Sequence, residues 1–91
     1  MDIVETAIEN LKKERKAVGT VKLGNIEVEV WVCLDYNPDT EKWEVNCDAV
    51  VSLGDISRSG FGGLRFDDYE EALKYYKEII DKYRLKELSS L

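Results

Sequence analysis

The feature that most constrains the fold is a long run of alternating apolar and polar residues, from Gly19 to Val51. It reads GTVKLGNIEVEVWVCLDYNPDTEKWEVNCDAVV. Alternation with a period of two is typical of strands that bury one face and leave the other in solvent. Gly24-Asn25 and Asn37-Pro38-Asp39-Thr40 interrupt the run with residues that favour tight turns. The run therefore predicts a three-stranded antiparallel meander.

The two turns also predict which residues of neighbouring strands lie opposite each other. The first turn places Leu23 opposite Ile26. The second, read as a type I turn, places Glu29 opposite Asp48. Such a like-charge pair costs stability unless another group compensates its charge. Both turns point the even-numbered residues of the middle strand to the same, apolar face. That agreement supports the register, because a slip of one residue would turn every side chain to the other face.

Residues with helical spacing flank the meander on both sides. Asp2 is a suitable N-cap for an amphipathic helix that we expect to end near Ala17. Asp67 or Asp68 is a suitable N-cap for a second amphipathic helix that reaches about Lys86. Each helix has one apolar side, so both are expected to pack on the apolar face of the sheet.

These elements predict an α+β fold in a single domain, residues 1–91, because 91 residues leave no room for a second core. We expect an antiparallel meander of three to four strands with two helices on one face. Residues 62–66, Gly-Gly-Leu-Arg-Phe, are the candidate fourth strand, paired with the third. A domain this small buries only about 60% of its unfolded surface, so a partner or a second copy would add stability.

The composition argues against several classes of chemistry. The chain has 19 acidic and 13 basic residues, a net charge of −6, and no histidine. The charge disfavours nucleic-acid binding, which depends on neutralising phosphates with Lys and Arg. The lack of histidine removes His-based catalytic pairs and the usual zinc ligands. Since the spacing of the remaining residues indicates no acid–base pair, nucleophile or metal site, we expect no enzymatic activity, no metal and no cofactor.

The cysteines and the N-terminal stretch bear on the cellular compartment. The alternation puts Cys33 and Cys47 on opposite faces of the sheet, so no disulfide is predicted, and two reduced cysteines fit the cytosol. The stretch MDIVETAIENLKKERK lacks the apolar centre of a signal peptide. No segment approaches the roughly 20 apolar residues that span a bilayer. We therefore expect a cytoplasmic protein with no membrane partner.

The polar face of the predicted sheet, here called the outer face, is the first candidate binding surface. It combines a large aromatic side chain with carboxylates, at Glu27, Glu29, Trp31, Glu44 and Asp48. An aromatic side chain among acids is suited to docking a basic protein surface. The sequence therefore predicts a protein-interaction or regulatory module that binds a basic protein, or its own copy, through this face.

The segment SLGDISRSGFGGLRFDDYEEA, from Ser52 to Ala72, suggests an alternative, an anion or small ligand held by a glycine-rich loop at residues 54–66. Phosphate sites use backbone amides that converge on the anion. The residues that would supply them are Ser57, Arg58, Ser59, Gly60, Gly62 and Gly63. The segment lacks the P-loop and dinucleotide-binding motifs, and acids at the start of the second helix would repel an anion. Ligand binding is therefore the second hypothesis.

The order helix, three strands, helix resembles that of the double-stranded-RNA-binding domain. That family opens its second helix with lysines that grip phosphates, whereas this chain reads FDDYEEALKYYKE there. The resemblance is in topology, and the reversed charge argues against RNA binding.

A second resemblance covers about Ile26 to Tyr83. The strand hairpin, the glycine-bearing segment and the helix start at residues 68–73, Asp-Tyr-Glu-Glu-Ala-Leu, resemble the HicB-like antitoxin domains. Members of that family are acidic partners that neutralise a small basic RNA-cleaving toxin. The resemblance therefore implies an antitoxin-like regulatory module with a basic protein as its partner.

Overall fold

The structure, a computed structural model, describes residues 2–88. Along the chain its elements are α1 (Ile3–Lys13), β1 (Arg15–Leu23), β2 (Ile26–Asn37), β3 (Lys42–Leu53), β4 (Ile56–Phe66), α2 (Tyr69–Tyr83) and β5 (Lys86–Glu87). The strands form one antiparallel sheet in the order β4-β3-β2-β1-β5. The predicted α+β class and strand meander are confirmed, and the sheet has five strands instead of three or four.

The fourth strand is much longer than the sequence predicted. The predicted pairing of residues 62–66 with the third strand is confirmed. The expected loop at residues 54–66 is wrong, because β3 and β4 join through a tight turn at Gly54, whose φ is 58°, and Asp55. From that turn the two strands pair without interruption up to Trp43 and Phe66. All of β4 except Phe66 is exposed, so its residues show no apolar–polar alternation that would have identified it as a strand.

The registers of the first two hairpins were predicted with different success. Leu23 lies opposite Ile26, as expected. The second hairpin is shifted by two residues, so Glu29 lies opposite Val50, and Trp31, not Glu29, faces Asp48. The reason is a longer turn, in which Glu41 adopts a left-handed conformation with a φ of 56°. A shift of two residues keeps every side chain on its predicted face.

Helix α2 packs on one face of the sheet, here called the inner face, and the core lies between them. Ten hydrophobic residues are buried there: Ala17, Val30, Val32, Leu34, Trp43, Val45, Ala72, Tyr76, Ile79 and Leu85. The ring of Trp43 packs edge-on against Tyr69, with 4.8 Å between centroids, and also packs against the tilted ring of Tyr36 at 5.0 Å. Cys47 also points inward and Cys33 outward, and both thiols are free.

Helix α1 differs from α2 in that none of its side chains is buried. It is capped as predicted, since the Asp2 carboxylate accepts a hydrogen bond from the Val4 amide at 3.1 Å. The helix ends at Lys13, earlier than expected, because Ala17 is buried in β1 opposite Val32. Its apolar side, predicted to pack on the sheet, is instead exposed.

The C-terminal part of the described chain adds the edge strand β5, which the sequence analysis missed. Helix α2 begins after the predicted cap Asp68 and ends at Tyr83, earlier than the expected Lys86, because the C-cap Arg84 has a left-handed φ of 53° that redirects the chain. Glu87 of β5 then forms an ion pair with Arg15 of β1 and accepts a hydrogen bond from the Tyr76 hydroxyl at 3.3 Å. These contacts attach β5 to the sheet through residues far apart in sequence.

Candidate interaction face

The outer face of the sheet carries one row of four side chains that crosses β1 to β4. Val18, Trp31, Asp48 and Phe61 lie in this row because each is paired with the next on the neighbouring strand. Neighbouring strands are about 4.8 Å apart, so the carboxylate of Asp48 lies between the two aromatic side chains. We call Trp31, Asp48 and Phe61 the aromatic row.

The two aromatic side chains of this row are held differently. Trp31 is 36% exposed, and its indole N–H donates a hydrogen bond of 2.5 Å to the Glu29 carboxylate, two residues along the same strand. This bond orients the indole ring on the surface and leaves the Asp48 carboxylate beside it. Phe61 is 90% exposed, so the folding of this chain buries almost none of its large apolar side chain.

The predicted interaction residues all lie on the outer face, but the structure does not bring all of them together. Glu29 contacts Trp31, and Asp48 lies opposite it. Glu27 and Glu44 lie about 13 Å from this row along their strands, on opposite sides of it, at about 3.3 Å per residue. The centre of the candidate site is therefore smaller than the sequence predicted.

Phe61 is the residue of this site that the sequence analysis missed. It was assigned to a loop, where facing cannot be predicted. The predicted strand at residues 62–66 contained a signal, because continuing its alternation back from Phe66 puts Phe61 on the face opposite to Leu64. Because glycines occupy much of this stretch, the alternation has too few apolar side chains to be recognised.

A second group of charged side chains lies at the end of the outer face nearest α1. Asp35 is directly opposite Glu44, and Arg65 of β4 binds Glu44 with 3.0 Å between Nε and Oε2. Burial raises the pKa of the Asp35 carboxyl above its ordinary value, and the negative charges of Glu14 and Glu44 raise it further. Glu44 is therefore already engaged within the sheet.

The residues of the predicted ligand loop lie on a strand, where successive side chains and amides point in alternate directions. Ser57, Ser59 and Gly63 belong to the outer face, whereas Arg58, Gly60 and Gly62 belong to the inner face. Arg58 donates a hydrogen bond of 2.8 Å to the Ser57 carbonyl oxygen. The strand does not converge these groups on one point, as a phosphate cradle would require.

The inner-face glycines instead border an open groove of about 420 Å³ between β4 and α2. Cys47 lies at its base, and Tyr75 and Ile79 of α2 form one wall. A Cβ atom added at Gly60 or Gly62 would meet no atom within 4 Å. The groove is thus shallow and mainly apolar. At its base, burial raises the pKa of the Cys47 thiol above its ordinary value.

Within residues 2–88, no three His, Cys, Asp or Glu side chains are grouped in a way that would hold a metal ion. None of the helices described for this stretch is both long and apolar enough to cross a membrane. The chain matches no protein-family model, and no curated protein is detectably similar to it in sequence. The outer face therefore combines an exposed aromatic surface with negative charge, a combination that is suited to contacts with another molecule.

Proposed function

We propose that this chain is a small, acidic, non-enzymatic interaction module that docks a basic protein through its outer face. The aromatic row is the observation that carries the proposal. Tryptophan and other large aromatic side chains contribute most of the binding energy in many protein interfaces, where they stand near the centre of the contact. Here two of them flank a carboxylate on a face that neither α1 nor α2 covers.

The charges around the row favour a basic partner. Glu29 and Asp48 both lie within reach of Trp31, and an arginine of the partner that stacked on the indole ring would pair with either carboxylate. Lys22, the nearest cation on the Glu27 side, lies directly opposite Glu27 and offsets that acid. The central contact is therefore expected to involve Trp31, Asp48 and Phe61, with Glu29 positioning the indole ring.

The narrower form of the proposal is an antitoxin-like regulator in the cytoplasm whose partner is a small basic toxin. The resemblance of residues 68–73 to a helix start in HicB-like domains supports it, together with the negative net charge. The partner class in this form rests on that resemblance alone, whereas the docking face rests on the geometry of the aromatic row.

The docking proposal is tested by quantitative capture of partners on the immobilised chain, with purified hits re-measured by calorimetry. Phe61→Ala and Asp48→Lys are expected to weaken binding by about tenfold or more, the effect of losing a central anchor or reversing its charge. Leu64→Ala, on the other face of the same strand, and Asp81→Lys, an exposed acid on α2, are the matched controls. A basic protein that binds all four variants equally would disprove the role of this face.

A second candidate is a small ligand at residues 54–66, and the groove beside Gly60 and Gly62 favours an apolar ligand over an anion. Arg58 and Arg65, the two cations of this segment, belong to opposite faces of the sheet, which argues against a shared anion site. Amide shifts measured by NMR test this candidate with two probes, indole and inorganic phosphate. The candidate requires shifts confined to the groove with indole, and unmoved β4 amides with both probes would remove it.

A further inference from the structure

Two apolar surfaces of this chain remain exposed in the described structure, and the length of one is close to the width of the other. The first is a stripe along α1, formed by Ile3, Val4, Ala7, Ile8 and Leu11. The second, which we call the distal patch, is the part of the inner face that lies outside the buried core. It contains Val21, Leu23, Ile26, Val28, Val51, Leu53 and Ile56.

The stripe on α1 is a regular amphipathic face without a partner among residues 2–88. Ile3 is 86% exposed, and Val4, Ile8 and Leu11 are each about half exposed or more. These residues recur at spacings of three and four, which aligns them along one side of the helix. A surface helix normally buries such a side, and most of its stability in a protein comes from that burial.

The distal patch is equally unusual for a sheet face. Leu23, Leu53 and Ile56 are between 47% and 63% exposed, although the same face is fully buried further along the strands. The patch begins one row beyond Ala49 and Gly60, which line the groove together with Ile79 of α2, and Val28 at its near edge is partly buried against the core. Its width is three strand spacings, about 14 Å. Helix α1, with 11 residues, is about 16 Å long and matches that width.

The two surfaces cannot meet within one copy of the chain. Only Glu14 separates the end of α1 at Lys13 from the start of β1 at Arg15. The distal patch begins at Val21, six residues further along β1, about 20 Å away at 3.3 Å per residue. Helix α2 covers the inner face between these points. A helix that folded back from Glu14 would therefore meet α2 before its stripe reached the patch.

We propose that two copies of the chain form a two-fold dimer in which the α1 stripe of each copy lies on the distal patch of the other. Each copy supplies one helix and one patch, so a two-fold axis satisfies all four surfaces and closes the assembly. Stable interfaces bury about 800 Å² per partner. In the proposed dimer each copy contributes two surfaces to the buried area, the α1 stripe and the distal patch.

Charge also favours this pairing. Arg58 is the one charged side chain in the two inner-face rows of the patch, opposite Val51, and the ion pairs found among residues 2–88 do not include it. Glu5 borders the stripe beside Ile8, one helical turn away. A helix laid on the patch brings a carboxylate to its margin, where the guanidinium of the other copy lies. The dimer uses the inner face and leaves the aromatic row free.

Analytical ultracentrifugation over a concentration series tests the proposal with the whole chain. The wild type is expected to dimerise, and Ile8→Glu and Ile56→Lys are each expected to weaken the dimer about tenfold or more, because each puts a charge into an apolar contact. Thr6→Glu and Ser57→Lys introduce the same side chains on the opposite sides of α1 and β4 and are expected to dimerise normally. Because Ile8 and Ile56 are both exposed, the substitutions are expected to leave the monomer folded. An unchanged circular dichroism spectrum will show that it is.

Mixing the two impaired variants distinguishes this exchange from any dimer built on a single shared surface. A mixed dimer keeps one native helix–patch contact, and its other contact sets the introduced glutamate of one copy near the introduced lysine of the other. We therefore expect Ile8→Glu and Ile56→Lys to dimerise with each other but not with themselves. A wild type that stays monomeric, a dimer that tolerates Ile8→Glu, or a mixture that stays monomeric would each overturn the proposal.

Discussion

Asp35 of β2 lies directly opposite Glu44 of β3, so two carboxylates share one cross-strand position on the outer face. The sequence predicted a like-charge pair in this hairpin, but at Glu29 and Asp48, in a register that differs by two residues. Arg65 of the next strand binds Glu44, and this cation lies in residues 62–66, the predicted fourth strand. The pair is thus partly neutralised from within the sheet.

Asp35→Asn is expected to stabilise the protein slightly at neutral pH. The pKa of Asp35 is raised in the folded state, mainly by burial, so the ionised carboxylate costs stability above that pKa and the cost disappears as the pH falls through it. Thermal melts from neutral to acidic pH measure the difference. Asp81→Asn, at an exposed position on α2, is the control. Equal effects of the two substitutions at every pH would contradict this account.

Glu87→Gln is expected to have the opposite effect. The hydrogen-bonded ion pair with Arg15 lowers the pKa of Glu87 below its ordinary value, so its stabilisation is complete above the unfolded value of 4.5 and is lost as the pH falls through the folded value. The loss at neutral pH should be less than about 1 kcal/mol, because the side chains are partly exposed. Urea titrations at neutral and acidic pH measure it. Glu71→Gln on exposed α2 surface should leave the pH dependence unchanged.

Neighbouring glycines of β4 are expected to respond oppositely to substitution. Gly62→Val adds a side chain over open space and should stabilise the strand by about 0.5–1 kcal/mol. Gly63→Ala should destabilise by about 1–3 kcal/mol, because its Cβ would lie 3.0 Å from the Val45 carbonyl oxygen and closer still to the Asn46 side chain. Chemical denaturation of both variants measures the two signs. Stabilisation by both would mean that Asn46 moves aside without cost.

Two leucines at different depths provide a test of the fold itself. Leu34 is fully buried under α2, and Leu34→Ala is expected to cost about 2–5 kcal/mol. Leu11 of α1 is 55% exposed, and Leu11→Ala should change stability by no more than about 0.5 kcal/mol in the monomer. Urea unfolding at a concentration low enough to exclude dimers compares them. A large loss from Leu11→Ala under those conditions would show that α1 packs within its own chain.

Local patterns were sufficient for the meander and for the starts of both helices. The alternation from Gly19 to Val51 assigned Trp31 and Asp48 to the outer face, and the structure agrees. The second hairpin was shifted because the length of a turn depends on backbone angles such as the left-handed φ of Glu41, which no sequence motif required. The faces survived this error, since a shift of two residues preserves them.

The residues that the sequence missed depend on contacts between distant segments. Most of β4 is exposed on both faces, so only residues 62–66 were predicted as a strand, and the full pairing with β3 places Phe61 beside Asp48. The two-residue strand β5 is held by Arg15 and Tyr76, which lie 72 and 11 residues from Glu87. The first part of β4 and all of β5 were not predicted, because their stability comes from partners elsewhere in the chain.

The sequence by itself determined the elements that bury one face, since burial of one face imposes a period of two on strands and of 3.6 on helices. Only the tertiary structure decided which of these faces found a partner. Helix α1 has the same amphipathic pattern as α2, yet α2 is buried on the sheet and α1 is not. The physical reason is reach: the single residue Glu14 joins α1 to β1, and α2 already occupies the nearest part of the inner face.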